Sequence, residues 1–371
     1  MTTRRQVLRL GMASLALASA PMGCALFQQP TGTEHLLFSA ANTPEGNYTL
    51  VGLDSAGQVR SQVTVGDRCH GGCQRPGSRQ VLLFARRPGR HFYVIDTLSG
   101  QLLASIDAEP DHHFYGHGAF SPDGRYLYTT ENHYPSGQGV IGVYDASTGY
   151  TRVRQLAAGG IGPHEVRMHP DGNTLVVALG GIQTHPDYQR IKLNLETMSP
   201  ALLLIDRHDG TVLQRHEPSH QQLSCRHLDV SPDGTVIAGY QFQGPEWQAP
   251  PLIARLDSQR GDFRELSLGD GLQSQLRNYT ASIAVHPYLP LSAITAPRGG
   301  KLLVINHRSG ELAVTYDVDD CAGIMAAGQR GFLLTSGTGA VFQLPANLGA
   351  LIPLQAPTLR WDNHLTAVTV A

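Results

Sequence analysis

The sequence has no marked excess of either charge. Its 371 residues include 28 Lys and Arg against 30 Asp and Glu, and only 16% of residues are charged. A nucleic-acid-binding protein would show a basic excess. An intrinsically disordered chain would combine high net charge with little apolar content, whereas 41% of this chain is hydrophobic. Both classes are therefore excluded, and no nucleic-acid partner is expected.

The sequence also lacks the short motifs of several enzyme classes. It contains no Gly-x-x-x-x-Gly-Lys phosphate loop and no Gly-x-Ser-x-Gly nucleophile elbow. No Cys-x-x-Cys-His sequence is present to attach a haem covalently. A covalent cytochrome is excluded, but a haem held without covalent bonds is not.

The first thirty residues have the layout of a bacterial export signal. A twin-arginine pair, Arg4-Arg5, leads into a weakly apolar run from Leu10 to Ala20, as in a Tat signal. The run is too short to span a bilayer as a stable helix. We predict a Tat signal peptide and short linker over residues 1–30, export to the periplasm, and membrane contact only through this signal or a lipid anchor at Cys24.

After residue 30 the sequence repeats two turn patterns. In the first, a β-rich run ends in Asp or Asn and Gly follows, as at Asp96…Gly100, Asp145…Gly149, Asp206…Gly210, Asp257…Gly261 and Asn306…Gly310. The second is Pro-Asp-Gly, at residues 122–124, 170–172 and 232–234. Both suit tight hairpins. Strands and turns that recur about every fifty residues are typical of β-propeller blades.

Seven blades fit the spacing. Their innermost strands would open at His70, His117, His164, His227, Thr280, Ala322 and His364, at intervals of 42 to 63 residues. The last opening lies too close to the end to start a blade, so we expect it to complete the blade begun by Leu36-Leu37-Phe38. The sequence predicts an all-β fold: one seven-bladed β-propeller over residues 31–371, closed by the C-terminal strand. The longest insertion starts at Gly180, and propeller insertions often lie on the working face.

The repeated unit resembles the YVTN and quinoprotein-dehydrogenase-like propeller superfamily. More narrowly, the chain resembles an uncharacterised family of Tat-exported periplasmic propellers, through the segments Arg68–Gly72, Phe84–Gly89, Gly180–Asp187 and Lys192–Asn194. Such propellers are encoded beside imelysin-like lipoproteins and di-haem peroxidase-like proteins, in loci associated with iron acquisition. The resemblance implies a periplasmic role in metal handling and these two kinds of partner, but no particular reaction.

Histidine opens five of the seven innermost strands, at His70, His117, His164, His227 and His364. Because innermost strands surround the central channel, these imidazoles are predicted to converge and to bind a metal ion such as Fe, Cu or Zn. A non-covalent haem or a small anion held with the help of nearby arginines is an alternative ligand. Histidines that only satisfy backbone groups of neighbouring blades are the structural alternative.

One detail of the spacing conflicts with a regular ring. His70 and His164 stand six residues before their turn prolines, whereas His117 and His227 stand five residues before theirs. A shift of one residue along a strand turns a side chain to the other face. Either β-bulges restore the direction of two of these side chains, or there are two classes of histidine.

Further ligand-binding candidates lie near the openings and in the insertion. They are Arg86, Arg87, Glu165, His185 and Asn194. Asp111–His117 contains three histidines, for which solvated loop positions are the simpler interpretation. Among the cysteines, Cys69 and Cys73 could chelate a metal or form a local disulfide, and Cys225 and Cys321 could pair across blades.

The sequence is compatible with three functions. The histidines and the resemblance favour a metal-, haem- or partner-binding propeller. A lactonase-type hydrolase with one divalent ion would gather carboxylates and Asn, but Glu165 is the clearest acid near the openings. A copper oxidoreductase ranks lowest, because the sequence shows no electron-entry copper domain.

Overall fold

A computed structural model describes residues 35–87, 89–188, 191–354 and 357–369. Seven antiparallel sheets form the blades, and the strands within each pair in chain order. The predicted signal over residues 1–30, with Cys24, lies outside the described residues.

The first three blades contain the following strands. Blade 1 begins with β1 (His35–Asn42), β2 (Tyr48–Leu53) and β3 (Val59–Thr64); blade 2 is β4 (Cys69–Gln74), β5 (Gln80–Ala85), β6 (His91–Asp96) and β7 (Leu102–Asp107); blade 3 is β8 (His112–Phe120), β9 (Tyr126–His133), β10 (Gln138–Asp145) and β11 (Thr151–Ala157).

The next four blades follow the same order. Blade 4 is β12 (Pro163–Met168), β13 (Thr174–Leu179), β14 (Ala201–Asp206) and β15 (Val212–His216); blade 5 is β16 (Leu223–Val230), β17 (Thr235–Phe242), β18 (Ile253–Asp257) and β19 (Asp262–Glu265). Blade 6 is β20 (Ile283–Val285), β21 (Leu291–Ala296), β22 (Lys301–Asn306) and β23 (Leu312–Asp317); blade 7 is β24 (Cys321–Ala326), β25 (Phe332–Ser336), β26 (Val341–Leu344) and β27 (Ile352–Leu354).

The C-terminal strands return to blade 1 and close the ring. Strand β29 (Thr366–Thr369) pairs with β1, with Ala367 opposite Leu37 and Thr366 opposite Phe38. Strand β28 (Arg360–Trp361) pairs with the other end of β1. The predicted seven-bladed propeller and its closure are both confirmed, and the closure leaves blade 1 without a free inner edge.

Helix is scarce in the described residues. The α-helix α1 (Asp270–Gln275) is one short element, and the 3-10 turns are Ala146–Thr148, Pro186–Tyr188, Leu195–Thr197, Pro297–Gly299 and Gly328–Arg330. Within the ranges that the structure covers, no helix has the length and apolar character needed to cross a membrane.

The core lies between neighbouring blades. The second strands β5 and β13 are buried along almost their whole length. The outermost strands β7 and β23 instead alternate between exposed and half-buried residues. Between blades 2 and 3, Phe114 packs edge-to-face against Phe84 and Phe92, with ring centroids 6.3 and 5.5 Å apart. This packing fixes the innermost strands around the channel.

Candidate metal centre

The five predicted histidines meet inside the channel. The ring of His70 lies 4.3 Å from that of His364 and 5.0 Å from that of His117, centroid to centroid. The ring of His227 lies 4.8 Å from that of His164 and 4.6 Å from that of His364. Residues from five different blades therefore form one cluster, which we call the imidazole cluster.

Bulges in the innermost strands resolve the conflict in the histidine spacing. The pairing register shifts between Cys69 and Gly72 in blade 2 and between Phe114 and Gly118 in blade 3. It shifts again between Pro163 and Glu165 and between Cys225 and His227. A bulge changes the direction of the side chains beside it, so all four histidines on these strands reach the cluster.

The histidines are buried and held neutral. His70, His117, His227 and His364 are each at most 5% exposed, and His164 is half-buried at the edge of a cavity. Burial lowers the pKa of all five rings, and the neighbouring histidines and arginines lower the pKa of most of them further. Neutral imidazole is the form that binds metal ions.

Two buried carboxylates each form a hydrogen bond with one ring, and one of them approaches a third ring. Nδ1 of His70 donates to Asp362 at 2.8 Å. Nδ1 of His227 lies 3.2 Å from one oxygen of Glu165, and Nδ1 of His117 lies 3.7 Å from the other. A carboxylate that accepts from one ring nitrogen leaves the lone pair of the other nitrogen available. This pattern is common around protein metal sites.

His364 and His164 have different neighbours. Nδ1 of His364 lies 3.2 Å from the hydroxyl of Ser282, which can accept its proton. Nδ1 of His164 instead accepts from the guanidinium of Arg226 at 3.2 Å. Neutral His164 must then carry its proton on Nε2, so it differs from the other four rings.

The Nε2 atoms of His70 and His364 face each other, 3.2 Å apart. Asp362 leaves a lone pair on Nε2 of His70. Ser282 can donate to or accept from Nδ1 of His364, so Nε2 of His364 either donates to His70 or offers a second lone pair. Nε2 of His117 is buried and has no hydrogen-bond partner among the described residues. Metal–nitrogen bonds of about 2.0–2.1 Å place two tetrahedral ligand atoms about 3.3 Å apart. A cation shared by these nitrogens satisfies all of them.

The structure offers three overlapping ligand sets. In each, one ligand atom per residue lies within 4.8 Å of the others: His70, His117 and His364; His70, His164 and His227; and His117, Glu165 and His227. Imidazole ligands suit Zn, Cu, Fe and Ni. A haem fits less well, because its porphyrin needs an open plane around the iron, whereas third and fourth rings stand about 5 Å from each pair.

Arginines form ion pairs with both carboxylates. Arg167 lies 2.8 Å from Glu165, and Arg68 lies 2.7 Å from Asp362. Burial acts to raise the pKa of Asp362, but the hydrogen bond from His70 and the charges of Arg86 and Arg68 outweigh it and hold this pKa well below its usual range. The carboxylates therefore remain available as acceptors for the rings.

The structure places the other predicted residues in different surroundings. Glu165 lies within the cluster. Arg86 and Arg87 line a cavity whose wall also includes His70, His164 and His227. His185 lies on the insertion, 5.6 Å from the ring of Tyr134 and beside Asp187, away from the cluster. Asn194 ties the insertion together, because its side chain accepts from the Gln183 amide and donates to the Gly181 carbonyl.

Sequence reasoning missed Asp362 and Arg167. Asp362 lies two residues before His364, and a carboxylate so near a predicted ligand was a usable signal. Nothing in the sequence marked Arg167 as the partner of Glu165. Cys69, Cys73, Cys225 and Cys321 are free thiols, and burial raises the pKa of each. The structure therefore supports neither disulfide.

The fold and the site together define a β-propeller with a polyhistidine centre in its channel. The chain belongs to a family described as "Protein of unknown function (DUF1513)", whose model matches residues 63–368. No curated protein is similar enough in sequence to count as a relative. A solved structure of hydrazine synthase from Kuenenia stuttgartiensis is similar, with a TM-score of 0.60 and 16% identity over 90% of this chain and 95% of that chain. At this identity the similarity shows the fold alone.

Proposed function

We propose that this protein is an exported, periplasmic metal-binding propeller that holds a first-row transition-metal ion at the imidazole cluster. The observation that carries the proposal is the convergence of imidazole nitrogens: Nε2 of His70 and His364 are 3.2 Å apart, and Nε2 of His117 is buried without a hydrogen-bond partner among the described residues. Leaving such a buried polar atom without a partner costs free energy that a bound cation would recover.

We further propose a role in metal acquisition, with iron as the cargo. Iron is among the metals that imidazole ligands suit, and the resemblance to propellers encoded in iron-acquisition loci supports the choice. The same resemblance names imelysin-like and di-haem peroxidase-like proteins as the partners to test. Because the ligand set is nitrogen-rich, the ferrous ion suits it better than the harder ferric ion.

The hydrolase alternative has less support from the site. Enzymes of that kind present carboxylate oxygens to a hard cation. Here Glu165 and Asp362 instead contact arginines and the Nδ1 atoms of the rings. Their position suits orientation of ligands more than direct coordination of calcium.

Metal content of the isolated protein tests the proposal. We expect protein isolated from the periplasm without a polyhistidine tag to carry about one metal ion per chain, and His117→Ala to weaken metal binding at least tenfold. His208→Ala is the matched control, because His208 is exposed on a hairpin between β14 and β15. An absorption spectrum of the same sample tests for haem.

A second measurement guards against simple misfolding of the variant. A ligand that binds only the folded state stabilises it by about 2.7 kcal/mol at a hundred times its dissociation constant. Wild type and His208→Ala should therefore melt at higher temperature with Fe(II) or Zn(II), whereas His117→Gln should not. Failure of wild type to bind Fe(II), Cu(II) or Zn(II) would overturn the proposal.

A further inference from the structure

A cavity with a volume of about 230 Å³ opens directly onto the imidazole cluster. His70, His164 and His227 form part of its wall. It is smaller than the roughly 300–1,000 Å³ of pockets that hold drug-sized ligands. Only a small molecule fits between the mouth of the channel and the cluster.

The charged residues that line this cavity are all cationic, although one of them, Arg86, also lies 3.5 Å from Asp362 behind the wall. Among the described residues its wall includes five, with no Asp or Glu: Arg86, Arg87, Lys192, Arg226 and Arg298. Lys192 and Arg298 are exposed at the rim, whereas the other three are half-buried. Cations gathered in a partly dry space repel one another unless an anion joins them.

Neutral groups hold three of these cations in place. Arg226 donates to His164, and Lys192 donates to the side-chain oxygen of Gln243. The guanidinium of Arg298 stacks over the ring of Tyr279, 4.4 Å from its centroid. These contacts fix the positions of the cations without neutralising them.

The pKa of Lys192 reflects the same crowding. Partial desolvation of its ammonium group at the rim, together with the charges of Arg226, Arg298 and Arg87, lowers the pKa of Lys192. In addition, Nε of Arg226 is buried and has no hydrogen-bond partner in the described part of the chain.

We infer that this cavity binds a small polycarboxylate, which completes the coordination of the metal held by the imidazole cluster. The inference rests on the proposed metal site and names the form in which the metal is bound. Several carboxylates can pair with several cations at once, and arginine binds a carboxylate through two parallel hydrogen bonds. A remaining carboxylate would add an oxygen ligand to a nitrogen-only set.

Calorimetric titration with citrate, first on metal-free and then on metal-loaded protein, tests the inference. We expect citrate to bind metal-free protein at least tenfold more tightly than phosphate or acetate, and to bind more tightly still once the metal is present. Equal affinity for citrate and phosphate would overturn the polycarboxylate assignment. Absence of citrate binding to both forms would overturn the anion site altogether.

Titrating both the metal-free and the metal-loaded protein distinguishes failure of this inference from failure of the proposed function. Metal binding without citrate binding would overturn only the anion site. Citrate binding without any metal binding would overturn the proposed function and the link between the two ligands. The source of the anion, free or delivered as a metal chelate, follows from whether premixed Fe–citrate loads the protein faster than Fe(II) alone.

Variants of the cavity wall supply the structural control. Arg226→Gln should weaken citrate binding about 10- to 100-fold, whereas Arg260→Gln should leave it unchanged, because Arg260 is 84% exposed on an outer turn. Removing a crowded cation should leave the melting temperature of the anion-free protein unchanged or higher. A lower melting temperature with unchanged citrate affinity would mean that Arg226 has only a structural role.

Discussion

At the scale of single residues, the site depends on which nitrogen of each ring carries the proton. Asp362 accepts from Nδ1 of His70 and thereby leaves Nε2 to face His364. Glu165 does the same for His227. The carboxylates thus orient the ligand rings and are not the principal ligands themselves. In metal sites, residues outside the coordination sphere commonly orient the residues that bind the metal.

Substitution of the outer carboxylate tests this division. Asp362→Asn keeps the size of the side chain but removes the charge that fixes the His70 tautomer. We expect metal affinity to fall about 10- to 100-fold, the usual effect of losing such a partner, as measured by competition with a chromogenic chelator. Glu196→Gln, an exposed acid on the insertion, should leave affinity unchanged. Unchanged affinity in Asp362→Asn would contradict the assigned role.

At the scale of elements, the bulges decide where the histidines point. Blade 2 approaches blade 3 so closely that a Cβ at Gly71 would lie 2.5 Å from Nδ1 of His117 and 2.8 Å from the carbonyl of Gly116. A glycine is therefore required at Gly71 by close approach of two strands. The bulge and the glycine act together: the bulge turns the His70 side chain towards the cluster, and Gly71 leaves room for the ring of His117.

Alanine at this glycine should disturb both folding and the site. We expect Gly71→Ala to cost about 1–3 kcal/mol of unfolding free energy, as overpacking usually does, and to weaken metal binding by displacing His117. Gly271→Ala is the matched control, because a Cβ there meets nothing within 4 Å and alanine favours helix α1. Chemical denaturation and metal titration of both variants measure the difference. Equal stability of the two variants would contradict the close approach.

At the scale of the whole molecule, ring closure brings distant residues into contact. His70 and His364 are 294 residues apart in the chain, yet their rings touch. The same closure buries four of the five histidines and half-buries His164, and burial lowers the pKa of all five. The unfolded chain holds these histidines near their ordinary pKa of about 6.5, so folding and protonation are linked.

Acid should therefore destabilise the metal-free fold. Below about pH 6.5 the cluster histidines bind protons in the unfolded state but stay unprotonated in the folded state. Each such histidine lowers the unfolding free energy by about 1.4 kcal/mol for every pH unit of acidification. Stability is present above this pH and falls as the pH drops. Carboxylates with a lowered pKa, such as Asp362, contribute in a separate window below about pH 4.

Denaturation between pH 7.5 and 5.5, with a chelator present, measures this linkage. His227→Gln and His364→Gln should each reduce the pH slope of the unfolding free energy by about one proton, or about 1.4 kcal/mol per pH unit. His208→Gln should keep the wild-type slope, since that ring is exposed. Slopes that match wild type in all three variants would show that the cluster histidines titrate normally.

The turn patterns and their spacing were sufficient to predict the blades and their closure. Hairpin residues such as Asp96 and Gly100 act locally, so their effect can be read from the sequence. The five histidines of the cluster could be singled out for the same reason, since each recurs near the inner strand of a repeated unit. Asn194 was harder to interpret, because an amide in a long loop can face a ligand or tie the loop, and only the contacts distinguish the two.

The sequence by itself determined the seven-bladed ring and its repeated histidines, because local turn chemistry and alternation repeat along the chain. It did not determine where each inner strand begins, since β8 begins at His112 and β16 at Leu223, before His117 and His227. The tertiary structure alone decided which way those residues face, which carboxylate each ring contacts, and that five cations surround one small cavity. Those features depend on one-residue bulges and on contacts between residues far apart in the chain, such as that between Asp362 and His70. The local sequence pattern does not encode such contacts.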